Sequence, residues 1–186
     1  MREACLCGFV MVWAAAGATA SPAFERETRL TAVTHESHDF DFFVGEWHIV
    51  NRRLVRRGVG SREWDEFPAT ATGRRLLDGR GHMDEMAVPA KGFSGITLRL
   101  YDPAQRQWSL YWVNSLTGML FPPVVGRFSG GRGVFYGNDE DNGKPVRVRF
   151  TWSDITADSA HWEQAFSTDG GKTWETNWTM DFTRVK

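Results

Sequence analysis

The chain has 186 residues, 41% hydrophobic and 24% charged, with 22 Lys+Arg against 23 Asp+Glu for a formal net charge of -1. That balance is the composition of a folded globular protein rather than a disordered one, and it gives no general electrostatic reason to bind nucleic acid or an anionic surface. The departure from average is aromatic content, with 9 Trp, 13 Phe and 3 Tyr, which predicts a large aromatic core or an aromatic-lined cavity.

Residues 1–20 read as an export signal: Arg2, an apolar run from Cys5 to Ala16, then Ala18-Thr19-Ala20 before Ser21, the small-x-small pattern of a signal-peptidase site. The run is short for a membrane span. Export to the periplasm or beyond is therefore expected, with no stable membrane insertion after cleavage. Cys5 and Cys7 both lie in the signal, so the mature chain has no disulfide to rely on and must be held by its core. Residues 21–38, with Glu25, Arg26, Glu27 and Arg29 and little apolar periodicity, read as a flexible leader, and residues 39–186 as one domain.

From Asp39 onward the pattern is short runs of period-2 alternation separated by turn residues, with no long helical stretch. About nine or ten strands are predicted, around residues 47–52, 64–77 (one or two strands, interrupted at Pro68), 82–88, 96–101, 108–112, 124–128, 133–136, 146–152, 160–166 and 174–183. The clearest hairpin joins Ile96, Leu98 and Leu100 to Trp108, Leu110 and Trp112 through Asp102-Pro103-Ala104-Gln105, and Asn142-Gly143 is a strong turn signal. Short connections leave no room for crossover helices, so the meander is antiparallel. Closing it into a barrel of about eight to ten strands removes both edges and creates an interior. The expected fold is thus an all-β, up-and-down barrel with a short helical plug before the first strand; a sandwich is the alternative.

The plug is Asp39-Phe40-Asp41-Phe42-Phe43-Val44-Gly45-Glu46-Trp47: Phe40, Phe42 and Phe43 close one end, Gly45 turns the chain and Trp47 enters the floor. Gly-x-Trp at the first strand, with Arg184 ending the last, resembles the lipocalins and the wider calycin superfamily. The resemblance implies a lipocalin-like barrel in which Arg184 lies across the Trp47 ring and bonds the N-terminal backbone. The chain is also similar to a group of exported bacterial proteins of unknown function, at Phe40 to Trp47, at Tyr101-Asp102-Pro103 with Trp108, and from Trp162-Glu163-Gln164 to Trp174. That resemblance implies the fold and no activity.

Other motifs read as structural. Ser167 to Trp174 fits an Asp-box, whose Asp caps a hairpin; a propeller would need several copies. His48, His82 and His161 are scattered without Cys partners, so no metal is expected. Haem ligation is disfavoured because alternation puts His161, the one late-strand histidine, opposite Trp162. Asn138 to Gly143 starts like a calcium loop, yet position twelve is Arg149 instead of a carboxylate. No cofactor is expected.

Inward polar residues carry the functional reading, because leaving them unpaired in a core costs about 1–3 kcal/mol each. The phase of Trp47 and Ile49 carries Asn51 and Arg53 inward, and Met83, Glu85 and Ala87 share a face of their strand, assigned here to the interior. Asn51, Arg53, Glu85 and Gln164 with Trp112 and Trp162 are expected to form a polar spot in an aromatic pocket. The first reading is a binding barrel for a small apolar or aromatic molecule. The second is a cavity enzyme of cyclase, isomerase or hydrolase type with Glu85 as acid or base; the third is an envelope interaction protein whose core is filled by its own side chains.

Overall fold

A computed structural model describes residues 35–186; the expected signal and most of the leader lie outside the described residues. Ten strands follow one another as β1 (Gly45–Leu54), β2 (Trp64–Leu76), β3 (Gly81–Val88), β4 (Phe93–Asp102), β5 (Gln107–Asn114), β6 (Val124–Ser129), β7 (Arg132–Asp141), β8 (Lys144–Ser153), β9 (Ser159–Ser167) and β10 (Glu175–Arg184). Each is hydrogen-bonded antiparallel to its neighbours in sequence, and β1 to β10 completes a closed barrel. Asn142 and Gly143, both at positive φ, form the tight turn between β7 and β8. No helix among the described residues is long and apolar enough to cross a membrane.

Period-2 alternation sets the core. In β1, Trp47, Ile49 and Asn51 are buried while Glu46, His48, Val50 and Arg52 are exposed. Antiparallel register then carries this phase around the wall: Trp47 pairs with Ala71, Ala71 with Met86 and Met86 with Gly95. All four face inward. One consequence corrects an expectation. Since Met86 is inside, Asp84 and Val88 are inside with it, and Glu85 is exposed on the outer wall.

Two turns of 3₁₀ helix, His35–His38 and Asp41–Phe43, plug the end where β1 begins. Ordered chain therefore starts before Asp39. Glu36 is bonded by Arg106 and accepts the Tyr101 hydroxyl at 2.9 Å, and Trp108 Nε1 donates to the Glu36 carbonyl at 3.1 Å. Phe40 and Phe43 are 1% exposed. Phe40 packs edge-on against Trp108 and Phe128, with centroids at 5.0 Å in both cases, and Phe43 stacks on Trp47 at 5.3 Å. Edge-to-face and offset contacts of this kind add to the gain from area burial alone. The opposite end, with the β1–β2, β3–β4, β5–β6, β7–β8 and β9–β10 connections, is the mouth.

Candidate functional site

The floor is closed from both ends of the chain. Arg184 lies 4.2 Å from the Trp47 ring centroid. Its Nη1 donates to Val44 O and its Nη2 to Phe42 O, each at 2.6 Å, and Trp47 Nε1 donates to Phe43 O at 3.0 Å. Gly45 stands at φ +112, and a Cβ there would fall 2.8 Å from Arg184 Nη1. These groups seal the plug to the barrel, and Gly45, Trp47 and Arg184 take no part in lining the cavity above.

Above the floor the side chains do not fill the barrel. A cavity of about 360 Å³ runs from Phe43, Trp152 and Phe182 to Arg53, Arg57 and Asn114 at the mouth. A void of this size is ample for a small molecule. Its middle is aromatic: Phe150 and Trp162 meet edge-on at 4.9 Å, and Trp162 and Trp178 at 5.8 Å with planes 88° apart. The filled-core expectation is overturned by this space.

Four of the six expected lining residues reach the cavity: Arg53, Trp112, Trp162 and Gln164. Trp112 packs against Gly95, where a Cβ would stand 2.1 Å from the ring, so the indole's position depends on that missing side chain. Gln164 Nε2 donates to Asn177 Oδ1 at 2.8 Å. Asn51 is fully buried on the inner face of β1 but is not among the cavity-lining residues; its Oδ1 accepts the Trp178 indole N–H at 3.0 Å. The Arg53 guanidinium sits 4.8 Å from the Trp178 centroid. Burial, then the neighbouring Arg57, pulls its pKa below the ordinary arginine value. Glu85 is not in the cavity and does not meet Arg53.

In its place the structure puts a buried charge pair that strand-by-strand reading missed. Asp84 from β3 and Arg99 from β4 both line the lower cavity and form an ion pair with side chains 6% and 3% exposed. Register places Asp84 opposite Thr97, one inward position from Arg99. Burial raises the Asp84 carboxyl pKa, while Arg99 and Thr97 oppose the rise. The Arg99 guanidinium lies 4.9 and 5.3 Å from the Phe40 and Phe43 centroids and bonds His82 Nδ1 at 3.0 Å. A guanidinium only donates, so Nδ1 accepts and the His82 proton is on Nε2. Burial, then the Arg99 charge, lowers the His82 pKa to about 2, and the ring is neutral. Removing one partner of such a pair strands the other charge, at a cost of about 3–5 kcal/mol.

The remaining motifs are structural. Asp169 accepts from Lys172 N and Thr173 N at 3.0 Å each and from Thr173 Oγ1 at 2.6 Å, and its carboxyl is held below the usual range by the Thr173 hydroxyl first and backbone N–H groups after it. Trp174 Nε1 donates to Gly171 O at 3.0 Å, closing the same hairpin. His161 bonds exposed Asp181 at 2.6 Å on the outer wall, while Trp162 points inward.

No protein-family model and no curated protein sequence matches the chain. Among solved structures, the S-type phycobiliprotein lyase CPES from Guillardia theta superposes with a TM-score of 0.50 at 13% identity, covering 82% of this chain and 98% of that one. A protein of unknown function of the DUF3598 family from Nostoc punctiforme superposes with a TM-score of 0.44 at 13% identity, covering 78% of this chain and 48% of that one. At 13% identity the likeness to the lyase is one of fold alone.

Proposed function

We propose that the protein is an exported, lipocalin-like barrel that binds a small apolar or aromatic molecule, related to the exported bacterial proteins whose Phe-Asp-Phe-x-x-Gly-Glu-Trp opening it shares. The observation that carries this reading is the void of about 360 Å³ among Trp112, Phe150, Trp162 and Trp178. A barrel needing only stability would gain by filling that space, since each methylene buried is worth about 0.8 kcal/mol. A structure that superposes on this barrel is a phycobiliprotein lyase, and the likeness supports the barrel framework in which the ligand would sit.

Native mass spectrometry of the protein from its own host tests the reading directly, by detecting a co-purified apolar molecule. Gly95→Ala tests the site. The new methyl displaces the Trp112 ring into the cavity, so affinity for the fluorescent probe anilinonaphthalene sulfonate falls at least about tenfold. No binding by the wild type, or equal binding by the variant, rejects the reading. One observation favours an acid–base enzyme as the second reading: Asp84, with its raised pKa, lines the cavity. Asp84→Asn leaves the probe affinity of a binder nearly unchanged and abolishes turnover by an enzyme.

A further inference from the structure

Three arginines line the cavity: Arg53, Arg57 and Arg99. Two of them are neutralised within the lining itself. Arg99 is paired with Asp84 at the base, and Arg57 Nη2 donates to Asp141 Oδ1 at 2.5 Å at the mouth. Arg53 differs. Among the described residues its guanidinium has no ion pair and no hydrogen bond, and it rests on the Trp178 ring.

The surroundings of Arg53 explain why it is left over. Asp141 and Asp65 are the carboxylates whose charge reaches it. Asp141 is taken by Arg57, and Asp65, the cross-strand neighbour of Arg53 on β2, is bonded by Lys91 at 2.5 Å. Burial and then the like charge of Arg57 both act against the cation. A half-buried guanidinium with no counter-ion has given up part of its water and gained no ionic partner in return. Its donors remain accessible: Arg57 Nε and Arg99 Nε are buried without a partner, whereas no Arg53 nitrogen is. From Arg53 the lining continues as the aromatic wall, through Trp178 to Trp162 and from Trp162 to Phe150.

From this juxtaposition we infer, building on the ligand-binding reading above, that the ligand is an amphipathic monoanion, with a carboxylate held by Arg53 at the mouth and an aromatic or alicyclic body laid along Trp178, Trp162 and Phe150. A guanidinium offers a carboxylate two parallel N–H donors, and the pairing is stronger where water is partly excluded. One unpaired cation matches one negative charge. Asp139 and Glu140 also stand at the mouth, so a dianion such as a phosphate monoester would bring a second charge toward carboxylates with no cation left to meet it. At the base Arg99 is already matched by Asp84, which sets the direction of the ligand: charged end outward, apolar end down.

The test uses the full chain and the neutral fluorescent probe N-phenylnaphthylamine, displaced by naphthoate or by its uncharged isostere naphthamide. The wild type is expected to bind naphthoate at least about tenfold more tightly than naphthamide, and added salt narrows the gap. Arg53→Gln abolishes the preference, while Arg53→Lys keeps part of it because the charge remains. The wild-type comparison stands by itself if Arg53→Gln does not fold. Naphthamide competing as well as naphthoate, or an undiminished preference in Arg53→Gln, overturns the inference and leaves the ligand-binding reading standing, since both molecules still enter the cavity. A wild type that binds neither the probe nor the competitors removes the ligand-binding reading, and the role of Arg53 with it.

Discussion

At the closed end Phe40, Phe43, Trp47, Trp108 and Trp152 are at most 2% exposed, while at the mouth Val59, Leu116, Met119 and Leu120 are 62–70% exposed. The same residue classes are used for opposite ends. Below, rings interlock around the guanidiniums of Arg99 and Arg184, and the plug joins the start of β1 to the end of β10. Above, the β1–β2 connection is held mainly by polar contacts, Arg57 to Asp141 at 2.5 Å and Gly58 N to Glu175 at 2.7 Å. Burial is thus unevenly distributed between the two ends, and local stability is expected to follow it.

The contrast can be broken most directly at the plug. Phe43→Ala removes a ring packed against Trp47, Trp152 and Phe182, and the expected loss is about 3–5 kcal/mol by urea denaturation. A loss below about 1 kcal/mol would show that the closed end does not carry the fold. The next effect depends on pH. His82 has a folded pKa of about 2 against 6.5 for the ordinary group, so below 6.5 the unfolded chain takes up a proton that the folded one refuses. Its contribution to stability is complete above pH 6.5 and is lost as the pH falls. The loss is about 1.4 kcal/mol per pH unit, or roughly 3 kcal/mol by about pH 4. Asp84, raised by burial, works in the opposite sense, since it takes up its proton at a higher pH in the fold than in the unfolded chain. Comparing urea midpoints of wild type and His82→Asn across this range isolates the histidine; parallel curves would mean the ring is already charged in the fold. The smallest effect belongs to the mouth. Arg57→Ala removes an ion pair whose side chains are 20% and 13% exposed, and should cost about 1 kcal/mol or less. A cost equal to that of Phe43→Ala would make the mouth a structural element and erase the distinction.

Period-2 alternation and turn chemistry were enough to locate the strands, the Asn142-Gly143 turn and the aromatic plug, because each depends on residues close in sequence; only the continuity of β2 through Pro68 was left open. The site was less legible for the complementary reason. Read alone, β3 presents Met83, Glu85 and Ala87 as one face and Asp84 and Met86 as the other, and nothing local chooses between them. The choice comes from Trp47, through pairing with Ala71 and then Met86. Carrying phase from strand to strand would have turned Asp84 inward and shown that Arg99 on β4 faces it. The loop at residues 115–123 carries no charge, but the exposure of Leu116, Met119 and Leu120 is a tertiary property that no local pattern reveals.

The closure of β1 on β10 has a further consequence, for how the barrel forms. Nine of its ten seams join strands that are neighbours in sequence, each bringing together residues a short loop apart. The tenth joins Trp47 to Arg184, across nearly the whole domain. Loop-closure entropy makes that contact the slow one, and no edge is protected until it is made. As the chain is synthesised, β1 waits for the last strand with its backbone unpaired on one side. The Arg184 clasp on Phe42 and Val44 therefore reports completion of the barrel: when it forms, the final edge has been covered.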